Sequence, residues 1–205
     1  LSQGAKGFDL DLVSEVMTYN ASQGKPAYAA IINRLDRPVS GLVLIAKNKS
    51  AAAKYSTLMQ KEGGFNKQYE ALICGKLSEP KGTFVDYLKK DGRTNTSSIV
   101  PADAAANDKE AKLSKLEYEV ISYDEVKDIT HVRIHLITGR HHQIRVQFAS
   151  RRHPLVGDYK YASADCGMDN TVKAVALKRN QIALCAVSLT IENETYSVAP
   201  EFSIG

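Results

Sequence analysis

One aspartate stands between two arginines, directly behind an apolar segment. In the stretch INRLDRPVSGLVLIAK, Asp36 lies between Arg34 and Arg37, and Pro38 and Gly41 follow it. A carboxylate near arginine side chains is favoured in its ionised form. Proline restricts one backbone angle and glycine permits a tight return, so the loop would hold the carboxylate rigidly. The pattern fits a reactive carboxylate in a positively charged pocket, and it also fits a surface ion pair, which is commoner.

A second candidate is the basic segment TGRHHQIRVQFASRRHP, residues 138–154, which contains no acidic residue. Its cationic side chains include the arginines Arg140, Arg145, Arg151 and Arg152. We expect a helix to open after Gly139, with His141 and Arg145 on one side of it. An arginine-rich helix start would bind an anion such as the phosphate of a nucleic acid, whereas a solvated basic face is the alternative. Because His141 and His142 are adjacent, a helix would point them apart, which disfavours joint metal binding.

Three tyrosines form the third candidate set. Tyr69 follows a lysine in NKQYEAL, and Tyr159 and Tyr161 lie in VGDYKYA. A tyrosine ring can stack on a base or a sugar while its hydroxyl makes a hydrogen bond. Packing in the core or at its rim is the favoured interpretation for Tyr159 and Tyr161.

The elements that must position these groups alternate irregularly along the chain. The spacing predicts a helix over residues 9–19, short buried strands on both sides of Asp36, and a second helix from Ser50 to Lys61 that ends at Gly63. Strands are expected in KQYEALICGKL, KLEYEVISY, ITHVRIHLITG, QIALCAVSLTI and ETYSV. The polar residues 86–112 predict an exposed hairpin or flexible loop. This order favours an α+β fold with a mixed, largely antiparallel central sheet and flanking helices.

Composition restricts the class of protein. The chain has 205 residues, of which 43% are hydrophobic and 24% charged, and a formal net charge of +4, as expected of a soluble globular domain with a mild basic excess. Its three cysteines, Cys74, Cys166 and Cys185, form no CxxC pair, which favours a reducing cytoplasm. The longest apolar runs are too short for a bilayer, and no phosphate-cradling glycine motif is present, so neither a membrane span nor a nucleotide cofactor is expected.

Four segments together resemble the RluA-type family of RNA pseudouridine synthases. They are RLDRPVSGLVLIAK, KQYEALICG, TGRHHQIRVQFAS and HPLVGDYKYA, with a weaker fifth in IALCAVSL. They occur in the family's order and cover most of the span from Ile31 to Leu189. The resemblance implies one catalytic domain over residues 1–205, with a basic cleft across one face of the sheet.

The resemblance also implies roles for individual residues. Asp36 would be the catalytic carboxylate, Tyr69 would pack on the target base and help remove its C5 proton, and Arg145 would orient Asp36. Arg34 would lie near the flipped nucleotide. The implied RNA-binding set is Arg34, Arg37, Arg140, His142, Arg151 and Arg152. The implied reaction is the conversion of uridine to pseudouridine in structured ribosomal or transfer RNA by a cytoplasmic, bacterial, monomeric enzyme that needs neither cofactor nor metal.

Two departures from the family pattern bear on these expectations. The family usually has histidine before RLD, where this chain has Asn33. We expect this change to tune the loop and to leave the chemistry intact. The family's usual first strand, ending near NKPAG, is not found before Leu1, and no S4-type accessory domain is recognised. The chain is therefore interpreted as a catalytic domain trimmed at its start.

Two other functions remain alternatives, and a third is disfavoured. A non-catalytic RNA-binding module could use the same basic cleft, although a carboxylate facing phosphates would weaken its binding. A metal-dependent nuclease would need a cluster of carboxylates for a hard cation, and the sequence offers none. A glycosidase would normally need a second carboxylate near Asp36, and no partner acid stands out.

Overall fold

A computed structural model describes residues 11–61, 63–163, 168, 171–172, 175, 177 and 180–204. Residues 9–10 of the predicted first helix and Cys166 lie outside these residues. The helices are α1 (Leu12–Ser22), α2 (Lys49–Gln60), α3 (Ala102–Ala105) and α4 (Gln143–Ala149). The strands are β1 (Ala30–Ile31), β2 (Ser40–Gly41), β3 (Ile45–Ala46), β4 (Asn66–Cys74), β5 (Lys81–Asp91), β6 (Thr96–Val100), β7 (Lys112–Asp124), β8 (Ile129–Leu136), β9 (Leu184–Ile191) and β10 (Glu194–Ser197).

An eight-stranded sheet organises the described part of the chain. Seven strands run in the order β10-β9-β4-β8-β7-β5-β6, and β2 pairs separately with β9. The β2–β9 pairing is parallel, and the other pairings of this sheet are antiparallel. A separate two-stranded ribbon joins β1 to β3. The predicted α+β class with a mixed, largely antiparallel sheet is confirmed.

Alternating burial along the strands separates two faces of the sheet. On β8, Val132, Ile134 and Leu136 are buried whereas Arg133 is exposed, as the period-two pattern predicts. The buried face packs against α4 through Ile144, Phe148 and the aromatic rings of neighbouring strands. Since α4 carries Arg145 of the basic segment, this packing sets the position of that side chain.

The helices α1 and α2 begin at side-chain caps that shift their predicted limits. Asp11 accepts a hydrogen bond from the Ser14 amide, so α1 starts at Leu12 and extends three residues beyond the predicted end at Tyr19. For α2, the cap is Asn48, whose side chain accepts from the Ala51 amide at 2.8 Å, and the expected cap Ser50 lies inside the helix. No helix in the described residues is long and apolar enough to cross a bilayer.

The polar region 86–112 contributes to the edge of the sheet. It holds the end of β5, all of β6 and the short helix α3. The β5–β6 hairpin pairs Tyr87 with Val100 and Asp91 with Thr96, and Asp91 also bonds the turn residue Thr94. These contacts hold the hairpin in a defined conformation beside the loop that carries Asp36.

Candidate active site

The loop between β1 and β2 is closed by an asparagine side chain. The Asn33 amide nitrogen donates to the Leu42 carbonyl at 3.0 Å, and its oxygen accepts from the Leu44 amide at 2.6 Å. Within the loop, the Val39 amide donates to the Asp36 carbonyl at 2.9 Å. Asn33 therefore ties the outgoing arm of the loop to the returning arm, a role that suits the carboxamide at this position.

Gly41 allows the same loop to dock on the sheet. It has a φ of 118°, and a Cβ atom there would lie 2.4 Å from the Ala186 carbonyl oxygen. Ser40 and Gly41 pair in parallel with Cys185 and Ala186, and the next amide, of Leu42, donates to the Ala186 carbonyl. The close approach requires glycine, and it anchors the Asp36 loop to β9.

The carboxylate of Asp36 meets basic partners that are distant in sequence. Its Oδ2 accepts from Nη1 of Arg145 at 3.2 Å and lies 3.6 Å from Nε2 of His142. The side chain is 29% exposed. Among the described residues, its ion pair is with Arg145 and not with Arg34 or Arg37, so the local ion pair considered from sequence is not formed.

Arg145 is held by a second, fully buried carboxylate. Its Nε and Nη2 donate to the two oxygens of Asp158, each at 2.7 Å, and the two residues are only 5% and 1% exposed. Burial lowers the pKa of Arg145, but the hydrogen bond and charge of Asp158, together with Asp36, raise that pKa above its ordinary value. The bidentate clamp leaves Nη1 directed at Asp36.

His142 precedes α4 with an unusual backbone. Its φ is 54°, in the left-handed region, so α4 starts at Gln143 rather than after Gly139 as expected. The rings of His141 and His142 stack with centroids 3.8 Å apart, which corrects the prediction that they diverge. Burial, followed by the charge of Arg145, lowers the pKa of His142 to about 3, so its imidazole is neutral near pH 7.

Tyr69 lies on β4 beside the same carboxylate. The residue is buried, and a bulge in the β4–β9 pairing occurs between Gln68 and Tyr69. Burial and then the charge of Asp36 raise the pKa of Tyr69 to about 12. Its phenol therefore stays protonated at neutral pH.

These groups line one cleft with an apolar floor. The cleft has a volume of about 330 Å³, within the range of small-ligand sites. Its polar lining comprises Asn33, Arg34, Asp36, Lys67, Arg140, His142, Gln143 and Arg145, its apolar lining comprises Ile32, Leu35, Val39, Met59, Tyr69, Leu136, Ile144 and Leu184, and Gly139 completes it. An apolar slot with a carboxylate at one side suits a planar ring attached to a sugar.

A second depression continues outward from this cleft, and we call it the basic groove. Its volume is about 640 Å³, and its lining includes Asp36 together with the cationic residues Arg34, Arg37, Lys90, Arg140, Arg145 and Lys160. Lys90 lies on the β5–β6 hairpin. The cleft therefore opens into a groove whose charge complements a phosphate backbone.

The structure gathers most, but not all, of the residues singled out from sequence. Asp36, Tyr69, Arg145, Arg34, Arg140 and His142 line the cleft, and Arg37 lines the basic groove. Arg151 instead pairs with Asp86 at 3.1 Å and lies over the Phe84 ring at 4.0 Å. Arg152 is exposed with a φ of 65° and lines neither depression.

Several site residues escaped the sequence reasoning. Asp158 is the acid that holds Arg145, and its signal was a single acid one glycine after the apolar run in HPLVGDYKYA. Lys67 lies in the cleft two residues before Tyr69, and burial lowers its pKa. Lys90 and Lys160 had no distinguishing pattern, because their positions depend on the hairpin. Within the described residues, no cluster of three potential metal ligands occurs.

Comparison with known sequences identifies the family. The sequence model for the family described as RNA pseudouridylate synthase matches residues 3–150. The chain belongs to the RNA pseudouridylate synthase family. The resemblance predicted from the four segments is thereby confirmed.

Similar proteins support this assignment. The chain is 31% identical over 177 residues to the ribosomal large subunit pseudouridine synthase D of Vibrio vulnificus, an alignment that covers 85% of this chain and 51% of that protein. It is 32% identical over 150 residues to the uncharacterized RNA pseudouridine synthase YjbO of Bacillus subtilis, covering 73% of this chain and 50% of the relative. The chain thus spans about half the length of these relatives.

Solved structures show the same fold. The human RNA pseudouridylate synthase domain containing 4 superposes with a TM-score of 0.72 at 18% identity, covering 92% of this chain and 77% of the human chain. The human RNA pseudouridylate synthase domain containing 1 gives a TM-score of 0.67 at 24% identity, with coverages of 85% and 69%. At these identities the similarity concerns the fold alone.

Proposed function

We propose that this protein converts specific uridines to pseudouridine in structured RNA, with Asp36 as the catalytic carboxylate. One observation carries the proposal. Asp36 is held by Arg145 at the side of an apolar cleft, and that cleft opens into the basic groove. The carboxylate thus lies where a nucleoside could enter while its flanking phosphates stay outside.

The proposed reaction is balanced without any added reagent. The bond between N1 and C1′ breaks, the base turns, a bond forms between C5 and C1′, and the proton lost from C5 is matched by one gained at N1. The contacts of Asp36 with Arg145 and His142 both reach Oδ2. Among the described residues, Oδ1 has no hydrogen-bond partner, so Oδ1 is the oxygen we assign to the substrate. Attack on the sugar, attack on the base and removal of a ribose proton all begin from this oxygen.

The surrounding side chains receive separate roles in the proposal. The ring of Tyr69 would pack on the uracil, since its raised pKa disfavours the loss of its own proton that base catalysis would need. Arg34, which is exposed at the rim, would contact the RNA from which the nucleotide is flipped. Arg37, Arg140, Lys90 and Lys160 would bind phosphates.

We propose large-subunit ribosomal RNA as the first substrate class to test, because curated relatives carry that substrate in their names. Transfer RNA is the second class. We further propose that residues 1–205 act as one monomeric catalytic domain in the cytoplasm. Arg151 is left out of the proposed RNA contacts, because it pairs with Asp86 outside the groove.

The test is a pseudouridine map of cellular RNA with and without the gene, followed by complementation. We expect one or more sites to vanish with the gene, to return with the wild-type chain, and to stay absent with Asp36→Asn. Unchanged maps would refute the activity. Sites restored by Asp36→Asn would refute the role of Asp36, and RNA binding without any lost site would indicate the non-catalytic binding module.

A further inference from the structure

A chain of polar contacts runs from the β5–β6 hairpin to Asp36. The backbone amide of Ser97 on β6 donates to the Tyr161 hydroxyl at 2.9 Å. The same hydroxyl lies 2.6 Å from Nδ1 of His142, and Nε2 of His142 faces Oδ2 of Asp36 at 3.6 Å. Ser97 and His142 are buried. The contacts thus join a strand at the edge of the sheet to the carboxylate in the cleft.

The direction of each hydrogen bond in this chain follows from the groups involved. An amide N–H can only donate, so the Tyr161 oxygen accepts from Ser97, and its single proton is left for Nδ1 of His142. A neutral imidazole whose Nδ1 accepts must carry its proton on Nε2. That proton points at the carboxylate of Asp36, which can only accept. Burial and the nearby Arg145 lower the pKa of His142 to about 3, in agreement with a neutral ring.

We propose that His142 is a positioning residue for Asp36, held by Tyr161 with its proton on Nε2, so that the β5–β6 hairpin and the carboxylate are mechanically linked. The proposal rests on the proposed catalytic role of Asp36. Together with Nη1 of Arg145, His142 would restrain Oδ2 from a second direction and present Oδ1 to the substrate. The 3.6 Å distance between Nε2 and Oδ2 is longer than a hydrogen bond. Contacts of catalytic groups often tighten when substrate binds, so we expect this distance to shorten when RNA occupies the groove.

A parallel contact strengthens the connection to the hairpin. The Ser97 hydroxyl lies 2.8 Å from Nδ1 of His141, whose ring stacks on that of His142. The turn of the hairpin is held by Lys160, whose ammonium donates to the Asn95 carbonyl at 2.9 Å. His141, Asn95 and Lys160 all line the basic groove. RNA bound in the groove would therefore touch the elements that support His142.

The kinetic test uses Tyr161→Phe, which removes only the hydroxyl. The ring, its edge contact with His142 and its stacking under the Arg145 guanidinium at 5.1 Å are kept. We expect the steady-state kcat to fall about tenfold, which is the effect of one lost orienting hydrogen bond, while KM changes less than about twofold. His142→Gln, which keeps an N–H donor, should lose less kcat than His142→Ala.

A double-mutant cycle shows whether Tyr161 acts through His142. In the His142→Ala background, Tyr161→Phe should cause no further loss, because the residue that transmits its effect is gone. The matched control is Tyr123→Phe, which removes a tyrosine hydrogen bond to Asp128 away from the cleft and should leave kcat unchanged. Wild-type kcat in Tyr161→Phe, or a full additive loss in the double variant, would overturn the proposal.

Nitrogen NMR of the histidine rings gives a readout that needs no activity. We expect Nε2 of His142 to be protonated and Nδ1 unprotonated from pH 5 to 8, and Tyr161→Phe to produce a mixture of tautomers. A proton on Nδ1, or a charged ring at pH 5, would overturn the proposal. If Asp36→Asn retains turnover, the proposed function is refuted, but the tautomer result is unaffected. If Asp36→Asn is inactive and the Tyr161 and His142 variants behave as wild type, only the positioning role of His142 is refuted.

Discussion

Arg145 serves two carboxylates, and its structural and functional contributions can be separated. Arg145→Met removes a cation that is 5% exposed and leaves Asp158, 1% exposed, without its partner. Breaking a buried ion pair from one side costs about 3–5 kcal/mol of folding free energy, because the remaining charge stays desolvated. We therefore expect the urea unfolding midpoint of Arg145→Met to fall by an amount equivalent to about 3–5 kcal/mol, with loss of turnover.

Removing the second charge should restore the stability but not the activity. In Arg145→Met/Asp158→Leu, both buried charges are replaced by apolar side chains, a change that is often neutral or stabilising. We expect this double variant to unfold within about 1–2 kcal/mol of the wild type. Asp36 would still lack the guanidinium 3.2 Å from its Oδ2, so pseudouridine formation should remain at least about 100-fold slower than in the wild type.

Both properties are measured on the same preparations, by urea denaturation and by single-turnover pseudouridine formation on the mapped RNA. The matched control is Arg151→Met, which breaks the partly buried pair with Asp86 outside the cleft, where the two side chains are 32% and 12% exposed, and which should leave turnover unchanged. Near-wild-type turnover in the double variant would refute the claim that Arg145 orients Asp36. A double variant as unstable as Arg145→Met would refute the ion-pair account of stability.

The remaining predictions concern the loop, the pH dependence and the basic groove. Gly41→Ala should lower the unfolding free energy by about 2 kcal/mol or more and reduce turnover, because the φ of 118° at Gly41 and the nearby Ala186 carbonyl exclude a Cβ atom. An unchanged unfolding free energy in urea denaturation would contradict this prediction. His142 binds a proton below about pH 6.5 when unfolded but only near pH 3 when folded, so stability should fall as pH falls through that window. Between pH 6.5 and 4 the wild type should lose at least about 1 kcal/mol more than His142→Gln, and parallel curves would refute the burial argument. RNA affinity should fall steeply with salt, and Lys90→Ala should reduce the slope of log Kd against log salt by about 1. Lys81→Ala, outside the groove on the same strand, should leave the slope unchanged. Equal slopes in the wild type and both variants would contradict the proposal that the basic groove binds the RNA backbone.

The sequence was sufficient to predict features that depend on residues close together in the chain. The Asp36 loop was recognisable because proline, glycine and flanking arginines act within a few positions. The strands around Tyr69 and along β8 were recognisable from alternating hydrophobicity, which the burial pattern reproduces. The segments shared with the family placed Asp36, Tyr69 and Arg145 in one site, and the structure brings all three to one cleft.

Features that depend on long-range contacts could not be predicted in this way. The partner of Asp36 is 109 residues away, and Asp158 is buried against Arg145 of α4, which lies 13 residues before it. The spacing of residues predicted a helix from Gly139, whereas the left-handed backbone of His142 delays its start, and the two histidine rings stack. The hairpin places Lys90 in the basic groove, whereas Arg151, just after α4, pairs with Asp86 instead. The distribution of charge along the sequence does not show which of these two cations faces the groove.

The most direct test of the central claim compares the wild-type chain with Asp36→Asn on the RNA in which the gene-dependent pseudouridine is mapped. The substitution keeps the shape of the side chain and removes its charge. We expect folding and RNA affinity to stay within about twofold and pseudouridine formation to fall below detection under single-turnover conditions. Substantial turnover by Asp36→Asn, with a matched amount of folded protein, would contradict the account.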